Sequence, residues 1–146
     1  MKKTNLVALC IAVAFTIVGI FVYTTRENHK LVDILPSDDS RPSAEALISW
    51  DDESTTELSN EQAQMLFDSL ETFEYEYLKK ADSLDNYASV HCVVGKDTVE
   101  LIFSERQGGL ILVNDLNTDG SEKIYKILPD GKEIKSLLYE FKESDK

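Results

Sequence analysis

The sequence predicts an α+β fold on three observations. Between residues 59 and 80, apolar side chains recur at spacings of three and four, the mark of a one-sided helix. Between residues 87 and 128 the period changes to two, in short runs separated by turns rich in Gly, Asn and Asp. After Pro129-Asp130-Gly131 the helical spacing returns. Short connections make successive strands antiparallel neighbours, and two one-sided helices must cover the apolar face of that sheet. The expected architecture is an N-terminal transmembrane helix followed by a two-layer domain of order β-α-β-β-β-β-α. Its antiparallel sheet is covered by two helices.

The anchor comes first. Met1-Lys2-Lys3 precedes an uncharged apolar run over residues 6–23, LVALCIAVAFTIVGIFVY. As a helix rising ~1.5 Å per residue, those residues cover about 27 Å, close to the hydrocarbon thickness of a bilayer. A cleaved signal is the alternative, with a usual apolar core of ~7–15 residues and a small-x-small site after it. Here the run is longer, its exit Val22-Tyr23-Thr24-Thr25-Arg26 lacks such a site, and Ala12-Val13-Ala14 lies mid-run. A lipoprotein attachment at Cys10 is excluded by Leu9, which stands where a small residue is needed. Residues 1–25 are therefore read as a cytoplasmic tip and anchor, with residues 5–24 in contact with membrane lipid. A first helix with a short basic tail usually keeps that tail inside. The remainder is then expected outside, as a single-pass protein of the cell membrane.

Residues 26–44, RENHKLVDILPSDDSRPSA, read as a polar linker broken by Pro36 and Pro42. Its small apolar cluster Leu31, Val32, Ile34 and Leu35 either extends the membrane helix or rests on the membrane surface. Residues 45–146 form the expected extracytoplasmic domain. Leu47-Ile48-Ser49-Trp50 reads as a short strand, and Asp51-Asp52-Glu53-Ser54 as an acidic turn. Ser59 with Gln62 three residues on makes a capping box. From there Ala63, Leu66, Phe67, Leu70, Phe73, Tyr77, Leu78 and Ala81 predict a helix to about Lys80. Alternation of Ala88, Val90, Cys92 and Val94 predicts a strand, and Val99, Leu101 and Phe103 a second after Gly95-Lys96-Asp97. Residues 110–113 and 123–128 supply two more. Asp130 as N-cap, Glu133 at the capping-box position and the stripe Ile134, Leu137, Leu138, Phe141 predict the last helix.

Composition excludes several functions. The chain of 146 residues has 15 Lys plus Arg against 27 Asp plus Glu, a net charge of −12. Nucleic-acid binding needs a cationic surface that displaces counterions, so none is expected. Residues 37–85 hold 14 acids against Arg41, Lys79 and Lys80, whereas residues 86–146 hold 11 acids against 8 bases. The acidity is therefore concentrated ahead of and along the long helix, where it suits a protein partner with a cationic surface. No cofactor motif is present, and nothing marks the chain as an enzyme.

The sharpest motif is Asp115-Leu116-Asn117-Thr118-Asp119-Gly120, which matches the calcium-loop pattern D-x-[DN]-x-[DN]-G. Asp115, Asn117 and Asp119 are thus candidate calcium ligands. The twelfth position is Lys126 where a bidentate Glu is needed, and the flanks read as strands. A β-hairpin turn explains the same residues, because Asn, Asp and Gly tolerate positive φ. His91-Cys92 cannot form a thiolate–imidazole pair, since adjacent strand residues point to opposite faces. Glu71, Glu74 and Glu76 crowd one segment, and Asp51, Asp52, Glu53 and Glu57 another, both read as solvated surface.

The lysine-led anchor, the acidic linker and the Tyr125-x-Ile127 strand leading to the helix around Leu137-Leu138-Tyr139 resemble small, uncharacterised single-pass membrane proteins of Gram-positive bacteria. That resemblance implies an extracytoplasmic location and no particular activity. The expected function is a membrane-tethered binding or regulatory module. The alternatives are an immunity- or envelope-stress-type accessory protein acting on a membrane partner, and a weak calcium-binding module at the Asp115-to-Gly120 loop.

Overall fold

The computed structural model describes residues 3–25, 28–36, 42, 46–81, 84–117 and 122–145; within the first helix it describes the side chains of residues 3 and 5–18. That helix, α1 (Lys3–Thr25), has 23 residues. Its described side chains are all exposed, Phe15 at 75%. Among the described residues no helix is long and apolar enough to cross a membrane.

The domain is α+β, as expected, but richer in strands. Eight strands make one antiparallel sheet: β1 (Asn28–His29), β2 (Ala46–Trp50), β3 (Thr55–Leu58), β4 (Glu74–Leu78), β5 (Asn86–Val94), β6 (Asp97–Ser104), β7 (Leu110–Asp115) and β8 (Glu122–Leu128). Their order is β1-β4-β8-β7-β6-β5-β2-β3. The four strands expected after the long helix pair as a meander, with registers such as Val90↔Leu101, Leu101↔Val113 and Ile111↔Tyr125. Period-two alternation sends Ile48, Val90, Leu101, Phe103, Ile111 and Ile127 to one face, where each is fully or nearly fully buried. Each such side chain contributes about 1.5–3 kcal/mol of transfer free energy. Three helices belong to this face: α2 (Leu31–Ile34), α3 (Asn60–Glu71) and α4 (Lys132–Ser144).

Helix α3 starts as predicted. The Ser59 hydroxyl accepts the Gln62 N–H at 3.2 Å, and the Gln62 side chain accepts the Ser59 N–H at 3.0 Å. Ala63, Leu66, Phe67 and Leu70 are its buried stripe. It ends at Glu71 rather than near Lys80, a correction to the sequence reading. Phe73-Glu74-Tyr75-Glu76-Tyr77 fits helical spacing in its apolar members but also alternates with period two. Its aromatic residues suit a pleated surface. The strand prevails because β4 pairs with β8 through five residues, Glu74↔Leu128 to Leu78↔Ile124. The buried Tyr75 hydroxyl donates to the Leu70 carbonyl at 2.5 Å, closing the helix end with the first residues of the strand.

Two further strands escape the sequence reading. Thr55–Leu58 folds back on β2 with register Ala46↔Leu58 to Ser49↔Thr55. The intervening turn holds Glu53 at φ 66°, and the Trp50 indole N–H donates to the buried Thr56 hydroxyl at 3.0 Å. At the opposite edge, Asn28 and His29 pair with Glu76 and Tyr75. Residues 28–36, expected within a flexible linker, are thus part of the folded domain. Leu31, Ile34 and Leu35 are buried at 1%, 5% and 7% while Val32 is exposed, so three of the cluster's four side chains pack into the core of the domain. Burial of three aliphatic side chains outweighs the turn-forming character of the flanking residues. Linker residues 26–27, 37–41 and 43–44 lie outside the described residues.

Among the described residues, no α-helix lies on the opposite face. Strands β4 and β5 run in the same direction with β8, β7 and β6 between them, so their connection must cross a face. The helices fill one, which leaves the other. Leu110 and Leu112 point to that second face yet are buried at 1% and 2%, and Ala81 and Leu84 of the connection are half-buried.

At the start of α4 the N-cap is Gly131, not Asp130. Asp130 acts one residue early, its carboxylate accepting the Lys132 N–H at 3.0 Å. Ile134, Leu138 and Phe141 are buried as the stripe predicts, with Leu137 partly so.

If residues 28–36 belong to the core, Leu31→Ala will destabilise the protein by about 2–5 kcal/mol in urea denaturation followed by Trp50 fluorescence. Exposed Val32→Ala will stay within about 0.5 kcal/mol. Equal small effects would show that α2 contributes no core.

Candidate functional site

The calcium-loop candidates sit in a hairpin. Asp115 ends β7 and Glu122 opens β8, so the loop is flanked by paired strands with Asn114 opposite Glu122. The Asp115 carboxylate accepts the Asn117 N–H at 3.0 Å, and the Asn117 amide donates to Asp97 at 3.2 Å. Asp119 lies outside the described residues, as do Thr118 and Gly120. Among the described residues no group of three or more His, Cys, Asp or Glu could hold a metal ion. Asp115 also lines a cavity of about 210 Å³ between α2 and strands β7 and β8, where Lys123 accompanies it and Asp33. The described part of the loop is built as a turn.

His91 and Cys92 point to opposite faces, as strand geometry requires. Cys92 is buried on the helix face, and burial pushes its thiol up to about 12, so it supplies no thiolate near neutrality. His91 lies on the other face beside Glu100, imidazole Nε2 to carboxylate oxygen 3.4 Å. The Ser89 hydroxyl donates to the same carboxylate at 2.7 Å, and the Asn114 amide reaches it at 3.4 Å. Serine, histidine and carboxylate thus meet, but the hydroxyl donates to the acid rather than to the imidazole. That wiring leaves the serine without a base. Among the described residues, no acid of either crowd lines the cavity between α2 and strands β7 and β8. Glu74 is held below its usual range by the Asn28 amide at 2.9 Å and Lys30 at 3.2 Å. Asp52 is committed elsewhere, as follows.

The best-formed site is at the head of α4, and no sequence motif announced it. Two turns far apart in the chain, Gln107-Gly108-Gly109 and Pro129-Asp130-Gly131, meet backbone to backbone. The Gly131 N–H donates to the Gly108 carbonyl at 2.8 Å, and the Gly109 carbonyl accepts the Ile127 N–H at 3.0 Å. Gly109 adopts φ 133°, and a Cβ there would stand 2.7 Å from the Gly131 nitrogen. Only glycine permits both the conformation and the approach. Beside this junction lies a cavity of about 220 Å³ lined by Tyr87, Ser104, Glu105, Lys132 and Lys135 along with the three glycines and Ile127.

A ladder of rings and lysines continues from the cavity along α4. Lys135 pairs with Glu105 and stands 5.3 Å from the Tyr87 ring centre. Tyr87 stacks on Tyr139 at 6.2 Å, and Tyr139 meets Trp50 at 5.0 Å. Lys142 lies 4.7 Å from the Trp50 ring centre and 2.7 Å from the Asp52 carboxylate. Residues 135, 139 and 142 share a helix face by their spacing. Each aromatic pair contributes about 0.5–1.5 kcal/mol beyond its buried area. Ring faces attract the ammonium groups through their quadrupoles. Together they hold α4 against the β2–β3 hairpin. Tyr87 is nearly buried; burial first, then Glu105 and Tyr139, raise its phenol above the ordinary range. The cavity therefore combines apolar walls, two ammonium groups, one carboxylate and a neutral phenol. Such a lining has the chemistry of a small-ligand pocket, and it pairs no nucleophile with a base.

Comparison with family models, with curated proteins and with solved structures finds no match to this chain.

Two outcomes follow from this geometry. Gly109→Ala will lower stability by about 1–3 kcal/mol or more, because strain at positive φ adds to the clash with Gly131. Gly108→Ala, with φ 88° and open space around its Cβ, will cost less, and calorimetry orders the two. The Asp52 carboxyl is held below its usual range first by the Lys142 hydrogen bond, then by the Ser54 hydroxyl and N–H. A depressed folded value contributes stability above the unfolded carboxylate pKa of ~3.9, and loses it as pH falls through the folded value. Lys142→Met will raise the Asp52 midpoint in an NMR titration while Ser54 keeps it somewhat low. An unmoved midpoint would show that Lys142 does not hold Asp52.

Proposed function

We propose that the protein is a membrane-tethered binding module, held by α1 and displaying its domain on the outer side of the membrane. The observation that carries the reading is the exposure of α1. Leu6, Val7, Leu9, Ile11, Val13, Phe15, Ile17 and Val18 stand 49–75% exposed on one unbroken helix. In water so much contiguous apolar surface is costly, and in lipid it is at home. The described side chains of α1, residues 5–18, make 14 positions, fewer than a span needs. The whole helix has 23 residues without a charge after Lys3, and at ~1.5 Å per residue it reaches about 34 Å.

Binding rather than catalysis is supported by the domain's polar chemistry. At the cluster on the face opposite the helices Ser89 donates to Glu100, and at the α4 cavity Lys135 is neutralised by Glu105. Neither arrangement generates a nucleophile. The cavity fits a small ligand or the end of a peptide, and the exposed acids Asp51 and Glu53 of the β2–β3 turn suit a cationic group on a partner.

The test is fractionation of cells that express the full chain with a C-terminal tag. The protein will remain in the membrane through alkaline carbonate washing, and the tag will be cleaved by protease added to intact cells. Release by carbonate would overturn the anchor, and a shielded tag the orientation.

A further inference from the structure

We propose that one end of the sheet lies directly on the lipid headgroups, so that the domain stands on the membrane in a fixed orientation rather than swinging on a flexible stalk. This rests on the reading of α1 as the anchor. Helix α1 ends at Thr25 and β1 begins at Asn28. Three Cα-to-Cα steps of ~3.8 Å separate those residues, so they stand at most about 11 Å apart. The domain cannot drift away after that point, because Asn28 and His29 are paired to β4 and Leu31 is in the core. Asn28 and Lys30 are further bound to Glu74 at 2.9 and 3.2 Å.

The register identifies which end of the sheet is held down. Asn28 faces Glu76, two residues before the end of β4, so the chain joins the sheet from the side where β4 finishes and β8 begins. Strand β7 finishes on the same side, beside the start of β6, with Val99 opposite Asp115. The exposed side chains gathered there suit a headgroup layer. Tyr77 and Leu116 are exposed at 48% and 47%, and Lys79, Lys80, Lys96 and Lys123 are exposed around them. Asp33, Asp97, Asp115 and Glu122 lie at the same end, Asp33 sharing a cavity with Asp115 and Lys123; Asp97 and Asp115 accept hydrogen bonds from Asn117. Lysines reach phosphate oxygens, tyrosine rings favour the interface, and an exposed leucine gains by dipping below it. The α4 cavity and the lysine–aromatic clasp are at the other end, beside the start of β5. The nine residues of β5 at ~3.3 Å per step separate the two ends by about 26 Å. Lipid contact at one end therefore points the cavity outward.

The experiment uses the full chain reconstituted in vesicles of mixed phosphatidylcholine and phosphatidylglycerol carrying a nitroxide-labelled lipid quencher. Three singly labelled proteins are compared: native Cys10, Leu116→Cys and Asp51→Cys, the last two with Cys10→Ser. Buried Cys92 is left in place. Strong quenching is expected at position 10, and at position 116 on the order of twofold or more above position 51. Quenching at position 10 with equal values at 116 and 51 would overturn the docked orientation and leave the anchor standing. No quenching at position 10 would overturn the anchor, and this inference with it.

Discussion

One-sided burial of the antiparallel sheet is the constraint on which the rest of the molecule depends. Alternation along β5, β6, β7 and β8 puts Val90, Leu101, Phe103, Ile111 and Ile127 on one surface. That surface must be covered along its whole width. Helix α3 does so by leaving β3 at one edge of the sheet and returning to β4 near the other. The return of the chain to β5 then has to use the opposite face, which explains why Leu110 and Leu112 are buried where no helix lies. Even the short α2 is recruited, because the sheet near β4 would otherwise stay wet.

Charge is arranged around that core instead of within it. The lysines of α4 lie over aromatic rings and end on carboxylates, Lys135 on Glu105 and Lys142 on Asp52. Exposed ion pairs contribute little by themselves. Here the rings orient the ammonium groups, and the stems of the lysines cover apolar surface. The same clasp sets the position of α4's first turn, and so of the glycine junction and its cavity. Lys135 and Lys142 thus brace the helix, and Lys135 also borders the cavity.

The long-range pairings were the least legible part of the sequence. The α3 start was readable because Ser59 and Gln62 act within four residues, and the hairpins because turn residues act locally. The segment at Phe73–Tyr77 satisfied two periods at once, and only the presence of β8 alongside decided for strand. Residues 28–36 looked like linker because two-residue strands and one-turn helices carry almost no periodic signal. The α4 cavity was invisible for another reason: Gly109 and Gly131 are 22 residues apart and matter only because they touch. The calcium-like loop was the reverse, a visible pattern whose described residues serve a turn.

By itself the sequence determined the elements with local causes: the apolar N-terminal helix, the capping box of α3, the meander of β5 to β8 and the stripe of α4. Each depends on interactions among residues a few positions apart, which any reader of periodicity and turn chemistry can find. Tertiary structure alone decided where α3 gives way to β4, that residues 28–36 join the core, and that two glycine turns meet to open a cavity. Those outcomes depend on what surface a segment finds when the sheet closes, and a segment's own residues do not contain that information.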